Sequence, residues 1–389
     1  MSGAASVPLN VVILTMKTTM SVLKRVLLCS AFAAWATAAC ASPELIKSAD
    51  GCAAKKMNEE DVSMSWVGEC QNGLVSGQGV LQWFDDKKVL ILSQKGSFRD
   101  GALNGYAVIQ WPVLKYRYQG EVLNGQPNGN GIITFDDGSM LKGFFKRGNI
   151  SFGESIKDYG TYVGQVSNGV WNGRGVLTFK NGSRYEGDFK RNNMHGIGRM
   201  VFANGTIDEG EFAENLLNGQ GKRSWPSGAS YEGEFKDNLP YGWGKRIWSN
   251  GNQYEGDFAN GYPDGHGTFV LANKGRYVGD LKAGIFEGTG QYTALKGWNY
   301  QGDFINGQPD GHGVFTYIDG GRYEGAVAVG LASGQGTKTW MNGDLYVGNF
   351  AKGLPDGRGV MTKANGQVLD GYFEHGNYIG HAILPKLPE

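Results

Sequence analysis

The sequence predicts an all-β chain: an elongated single-layer antiparallel meander, a solenoid-like ribbon of about fourteen 23-residue β-hairpin repeats. Three observations carry this. Tyrosine returns at Tyr162, Tyr185, Tyr231, Tyr254, Tyr277, Tyr300, Tyr323 and Tyr346, all on one 23-residue register. Glycine supplies 64 of 389 residues without the every-third-residue spacing of collagen. Aromatics make up 12% of the chain, more than a disordered chain carries, because that much apolar surface closes on itself.

The segment Tyr185–Ile207, YEGDFKRNNMHGIGRMVFANGTI, defines slots 1 to 23. Copies start at Trp66, Gln94, Tyr118, Leu141, Tyr162, Tyr185, Asp208, Tyr231, Tyr254, Tyr277, Tyr300, Tyr323, Tyr346 and Leu369. Slot 3 is glycine in all fourteen, from Gly68 to Gly371. Slot 5 is phenylalanine in nine, slot 12 glycine in thirteen (Phe152 departs), and slot 14 glycine in eleven (Ala107, Glu154 and Ala382 depart). Slot 18 is aromatic in nine. Slot 8 is glycine except at Asn192, Asn215 and Asn238. These two residue types best tolerate positive φ, so slot 8 is read as a left-handed turn residue. Slots 20 and 21 read Asn-Gly at Asn181-Gly182, Asn204-Gly205, Asn250-Gly251, Asn342-Gly343 and Asn365-Gly366, which predicts a type I′ turn there.

Each copy is then two strands and two turns. Strand one covers about slots 1–6 and strand two about slots 12–18. Strand alternation puts slots 1, 3 and 5 on one face, with 12, 14 and 18 beside them: rings separated by glycines that make room for them. The residues read as structural are Tyr185, Gly187, Phe189, Gly196, Gly198 and Phe202. The opposite face carries Glu186, Asp188 and Lys190, then Glu232, Glu234 and Lys236, and is expected to be wet. Rings in one slot of successive copies lie roughly 10 Å apart, two strands, so slot 18 is expected to fill the gaps.

The ends read differently. Lys24 and Arg25, an apolar run from Val26 to Ala36, and small residues to Ser42 follow the order of a secretory signal peptide, with cleavage after Ala41 and a true start at Met16 or Met20. Residues 1–41 are thus an export address, and the chain is expected to be exported, periplasmic or secreted. The alternative is an envelope lipoprotein, because Thr37-Ala38-Ala39-Cys40 resembles a lipoprotein box, with Cys40 as the lipid-bearing residue. Residues 42–63 form an N-terminal cap, 64–382 the repeat array and 383–389 a tail. Cys52 and Cys70 are a disulfide candidate in an oxidising compartment, holding residues 43–63 over the first strand. At the far end Pro385 and Pro388 discourage edge pairing.

Tyr-Glu-Gly-Asp-Phe, a slot-8 glycine and then Gly-x-Gly resemble the MORN repeat (membrane occupation and recognition nexus), over about four-fifths of the chain. The resemblance implies a twisted β-ribbon with scaffold, dimerisation or membrane-proximal roles and no catalytic residues of its own. Copies 2 and 4 depart from it, with Gln94 and Leu141 in slot 1, an insertion near 85–93 and a short stretch near 152–158. If the ribbon breaks anywhere, it breaks between 84 and 160.

Chemistry is sparse. Lys plus Arg and Asp plus Glu are both 37, without the positive excess that phosphate backbones demand. Removal of residues 1–41 takes away Lys17, Lys24 and Arg25 and leaves a net −3, a poor match to anionic lipid. The Gly-x-Gly pairs precede no helix, so they are read as structural rather than as phosphate cradles. His266 and His312 fall two copies apart and cannot meet on one ion. His195 sits two slots earlier in its copy. Carboxylates such as Glu186 and Asp188 recur as a ladder instead of one perturbed pair. The sequence therefore predicts no enzyme, cofactor or metal. It predicts a repeat scaffold for a protein partner or for self-association in the cell envelope. A carbohydrate (peptidoglycan)-binding module and a peripheral membrane module are the alternatives.

Overall fold

The computed structural model describes residues 44–57 and 61–381. Residues 1–41, Cys40, Ala382, Pro385 and Pro388 lie outside them, and so do the readings placed there. Two compact units divide the chain, Met1–Asn193 and Met194–Glu389. Both are built from strands alone among the described residues.

In the first unit β1 (Leu45–Lys47) and β2 (Ala53–Lys55) precede the array. From β3 (Ser63–Gln71) and β4 (Leu74–Phe84) to β13 (Arg184–Lys190), each strand pairs antiparallel with the next. The pairing runs unbroken through residues 84–160. Copy 4 keeps step by a local shift: Gly153, one residue early, faces Gly143, and a register shift lies between Ile150 and Gly153. The second unit runs as the same meander from β14 (Asn193–Val201) to β30 (Asn377–Gly380).

The turns reverse the reading of the Asn-Gly pairs. The two-residue type I′ turn lies at slots 7 and 8, where φ is 48–52° and 68–88° in all fourteen copies. Slots 6 and 9 pair directly across it, as Ser167 does with Val170. At Asn181-Gly182 only the glycine has positive φ. Phe179 N–H reaches Ser183 O and Gly182 N–H reaches Phe179 O, a three-residue loop closing on a left-handed glycine. The asparagine serves another purpose there: its side chain accepts from the N–H two residues on, as Asn181 does from Ser183 and Asn342 from Asp344. The loop length decides the turn type, and a dipeptide does not reveal it.

Strand two accordingly starts at slot 9, and slot 10 belongs to the core. That slot is apolar in every copy, and Val75, Leu103, Trp171, Met194 and Leu217 are buried there. Slot 12 glycines such as Gly173 and Gly219 take positive φ at a bulge where three residues of strand two oppose one of strand one.

The tyrosine row is the core of each unit. Tyr162, Tyr254 and Tyr277 are fully buried. Each ring lies over the slot 3 and slot 14 glycines: a Cβ on Gly175 would sit 2.3 Å from Tyr162 Cε2, and one on Gly267 2.6 Å from Tyr254 Cε2. Each hydroxyl donates to the slot-4 carbonyl, Tyr162 to Gln165 at 2.7 Å and Tyr277 to Asp280 at 2.8 Å. Trp66, in the same slot, donates its indole N–H to Glu69 O. The gaps between successive tyrosines are filled by the slot-5 phenylalanine of the next copy, not by slot 18. Tyr162 meets Phe189 edge-on at 4.8 Å and Tyr346 meets Phe373 at 4.9 Å. Slot 5 pairs with slot 12 of the preceding strand and so reaches back toward the earlier ring.

The N-terminal segment crosses the turns rather than lying along β3. Ala53 N–H bonds Gly73 O, Lys55 N–H bonds Gly101 O, and Met57 Sδ packs 3.3 Å from the Cβ position of Gly125. A disulfide joins Cys52 to Cys70 with the Cα atoms 5.8 Å apart.

Candidate functional site

The residues singled out in the sequence form the frame. Tyr185 is fully buried and meets Phe189 edge-on at 5.2 Å. Gly187 faces Gly175, Gly198 faces Gly210, and Gly196 takes φ 60° at the bulge. Phe202 closes the hairpin loop through bonds to Thr206 and Gly205. None of them offers a polar atom to solvent chemistry.

The carboxylate ladder is partly structural. The bulge frees the slot-13 N–H, and the slot-4 side chain accepts it: His266 N–H donates to Asp257 at 3.0 Å, His312 N–H to Asp303 at 2.7 Å and Arg174 N–H to Gln165 at 2.7 Å. Slot 11 does the same for the next copy's turn, where Ala283 N–H donates to Asp264 and His375 N–H to Asp356. The acidic slots of the repeat therefore satisfy backbone donors that the turns and bulges expose. The His266 and His312 rings are exposed at slot 13, and His266 Nδ1 lies 2.9 Å from Asp280 Oδ1.

Three surfaces remain. The first is the charged face, laced by exposed cross-strand pairs such as Arg199–Glu209 and Lys222–Glu232, each of small energetic weight. It is less wet than its charges imply, because Tyr106, Phe144, Phe152 and Trp243 are exposed on it. A recess of about 410 Å³ beside Tyr106 is lined by Ser93, Lys95, Gln110 and Arg117 but by no carboxylate or histidine, so nothing there activates the serine.

The second surface is a row of rings and cations at slots 16 and 18 of the second unit. Arg246 lies between Trp225 and Trp248 at 5.1 and 5.3 Å, and Lys338 between Tyr317 and Trp340 at 5.3 and 5.0 Å. Burial holds the Arg246 guanidinium and the Lys338 ammonium below their ordinary pKa values. Beside this row, under its slot-16 Arg223, Asp208 replaces tyrosine in slot 1. It is buried and gripped by Arg223 Nε at 2.6 Å and Nη2 at 2.7 Å, and Arg223 also bonds Asn238 O.

The third is the edge formed by the I′ turns. In the second unit Leu239, Tyr262, Ile285, Leu331 and Leu354, all slot 9, line it with about half of each side chain in solvent. The sequence signal for this row is the Leu, Ile or Tyr that recurs one residue after slot 8, interrupted by Gln308.

A family model of the MORN repeat matches residues 95–113, 118–140, 162–184, 185–207, 209–230, 231–253, 254–276, 277–297, 300–322, 323–345 and 346–368. The copies starting at Trp66, Leu141 and Leu369, without tyrosine in slot 1, fall outside these matches. No curated protein matches. Among solved structures, the chain is similar to the TCP domain of SAS-4 (dCPAP) of Drosophila melanogaster, solved in complex with a proline-rich motif of Ana2 (dSTIL). The identity is 11%, over 50% of this chain and 86% of that one, with a TM-score of 0.24. It is also similar to a streptogramin B lyase, at 12% identity over 73% of this chain and 90% of that one, with a TM-score of 0.13. Neither superposition is close.

Proposed function

This chain belongs to the MORN repeat family, and on that premise we propose that it is a non-enzymatic scaffold in the cell envelope that binds a protein partner. The observation that carries the reading is where the polar and apolar groups go. Acids at slot 4 in several copies, acids at slot 11, slot-20 side chains and the tyrosine hydroxyls are engaged with backbone groups. Some of the exposed apolar side chains, by contrast, recur in a row along one edge, with Leu239, Ile285, Leu331 and Leu354 at one slot. A repeated row of half-exposed aliphatic side chains suits an extended protein contact better than a small molecule, which wants a concave pocket. The leader-like residues 1–41 support the envelope location.

Photo-crosslinking in the native cell, with a photoreactive residue at Trp243 and separately at Tyr262, tests this. The expected product is one discrete adduct, identified as a single protein. Retention of the purified chain on peptidoglycan, or flotation with vesicles at physiological salt, without such an adduct would replace the reading with the carbohydrate or membrane alternative.

A further inference from the structure

The first unit shows what its turn edge accepts. Ala53 and Lys55 donate their N–H groups to the slot-8 carbonyls of Gly73 and Gly101, at 2.8 and 3.0 Å. Ala53 and Ala54 are buried there. Under this strand the slot-9 Leu74 leans on the next slot-8 glycine, with its Cδ2 3.5 Å from the Cβ position of Gly101, beside Ala53 O and Lys55 N at 3.6 Å.

The second unit repeats that seat at four of its six slot-9 positions from 239 to 354, Tyr262 and Gln308 being the exceptions, with no strand on it among the described residues. Leu239 lies 3.7 Å from the Cβ position of Gly261, Ile285 3.6 Å from that of Gly307, Leu331 3.8 Å from that of Gly353 and Leu354 3.9 Å from that of Gly376. Among the described residues no backbone donor reaches the carbonyls of Gly261, Gly284, Gly307, Gly330 or Gly353. One residue there is kept against its own preference. Val329, in slot 7 beside Leu331, holds φ 50° with 67% of its surface exposed. A β-branched residue in that region is strained, and it is not held there by burial. Strain that packing does not explain fits a surface kept for contact.

We propose that the turn edge over residues 239–376 seats one extended peptide strand of the partner protein. Alternate N–H groups of that strand bond the slot-8 carbonyls, and its small apolar side chains lie against the slot-9 row. This rests on the protein-binding reading and names the chemistry of the partner: a strand like Ala53-Ala54-Lys55, short of bulky or charged side chains on the inward face. The mode is strand addition, in which main-chain bonds supply affinity and side-chain seats supply selection. The slot-7 residues along this edge are Asn260, Ala283, Asn306, Val329, Lys352 and His375, none of them acidic.

The test uses the full chain and a labelled peptide carrying the Leu45–Met57 sequence with C52S, so that it cannot exchange into the native disulfide. Saturable binding is expected up to millimolar peptide. The double variant L331D/L354D should weaken it by about tenfold or more with an unchanged melting temperature. A photoreactive group at the peptide's Ala54 position should mark residues between 239 and 376. Absence of saturable binding, equal binding to the double variant, or marking elsewhere would overturn the proposal. A dimer seen by light scattering that dissociates in the double variant would also overturn it, by placing a second copy on the edge. If the Trp243 crosslink recovers a partner while the peptide fails to bind, the scaffold reading stands and this one falls.

Discussion

Asn192 and Trp171 close a two-bond ring between consecutive turns: Asn192 N–H donates to Trp171 O at 3.0 Å, and Trp171 N–H donates to Asn192 Oδ1 at 2.7 Å. Asn215 with Met194 and Asn238 with Leu217 repeat it. Where slot 10 is Pro127, Pro240, Pro263, Pro309 or Pro355, there is no N–H to receive, and the next slot 8 is always glycine. Asn192→Gly is therefore expected to destabilise by about 1 kcal/mol, the net worth of one hydrogen bond. Gly261→Asn, facing Pro240, should gain nothing. Urea midpoints of the two variants check this; a gain for Gly261→Asn equal to the loss for Asn192→Gly would contradict it.

Gly267→Ala puts a methyl group 2.5 Å from the Tyr254 hydroxyl and 2.6 Å from its ring. Overpacking of that kind typically destabilises by about 1–3 kcal/mol. Glu186→Ala, on the exposed face, should stay within about 0.5 kcal/mol of the parent. Equal melting temperatures would mean that the tyrosine is free to move aside.

Val329→Asn relieves a β-branched residue of positive φ while keeping the Val329 N–H bond to Asp310. An increase in stability of about 1 kcal/mol is expected, because asparagine tolerates this region. A loss measured by chemical denaturation would show that the valine contributes packing not visible in its exposure.

Asp208→Asn should be among the most damaging single changes, about 3–5 kcal/mol, since it leaves the Arg223 guanidinium without its charge partner at a nearly dry site. The pair Asp208→Tyr with Arg223→Met restores the repeat pattern and is expected to be neutral or stabilising. Thermal unfolding of the three proteins decides; a double variant weaker than Asp208→Asn would sink the idea that the ion pair merely replaces a ring.

Burial pushes the hydroxyls of Tyr118, Tyr231, Tyr300 and Tyr323 up to about 12, and raises those of Tyr162, Tyr254 and Tyr277 as well. An unfolded tyrosine ionises near about 10. Above that pH the folded chain keeps protons that the unfolded chain releases, so stability is intact below about pH 10 and falls as pH climbs toward 12. Denaturation midpoints should drop steeply over that interval, in step with tyrosinate absorbance. A flat midpoint across it would show the row is not buried in solution.

The chain's own period determined the copies, the strand pairs and the tyrosine–glycine core, because each is a local pattern repeated often enough to read: a ring in slot 1 needs bare glycines at slots 3 and 14 whatever else surrounds it. The tertiary arrangement alone decided which loop takes the I′ turn, since that depends on which residues pair across it. It also decided that slot-5 rings fill the tyrosine gaps, and that the acids at slots 4 and 11 serve backbone donors freed by the bulge and the turn. The open edge belongs to the same class. Leu331 and Gly353 are 22 residues apart and reveal nothing alone; stacking the turns brings them into contact and leaves a row of carbonyls beside them.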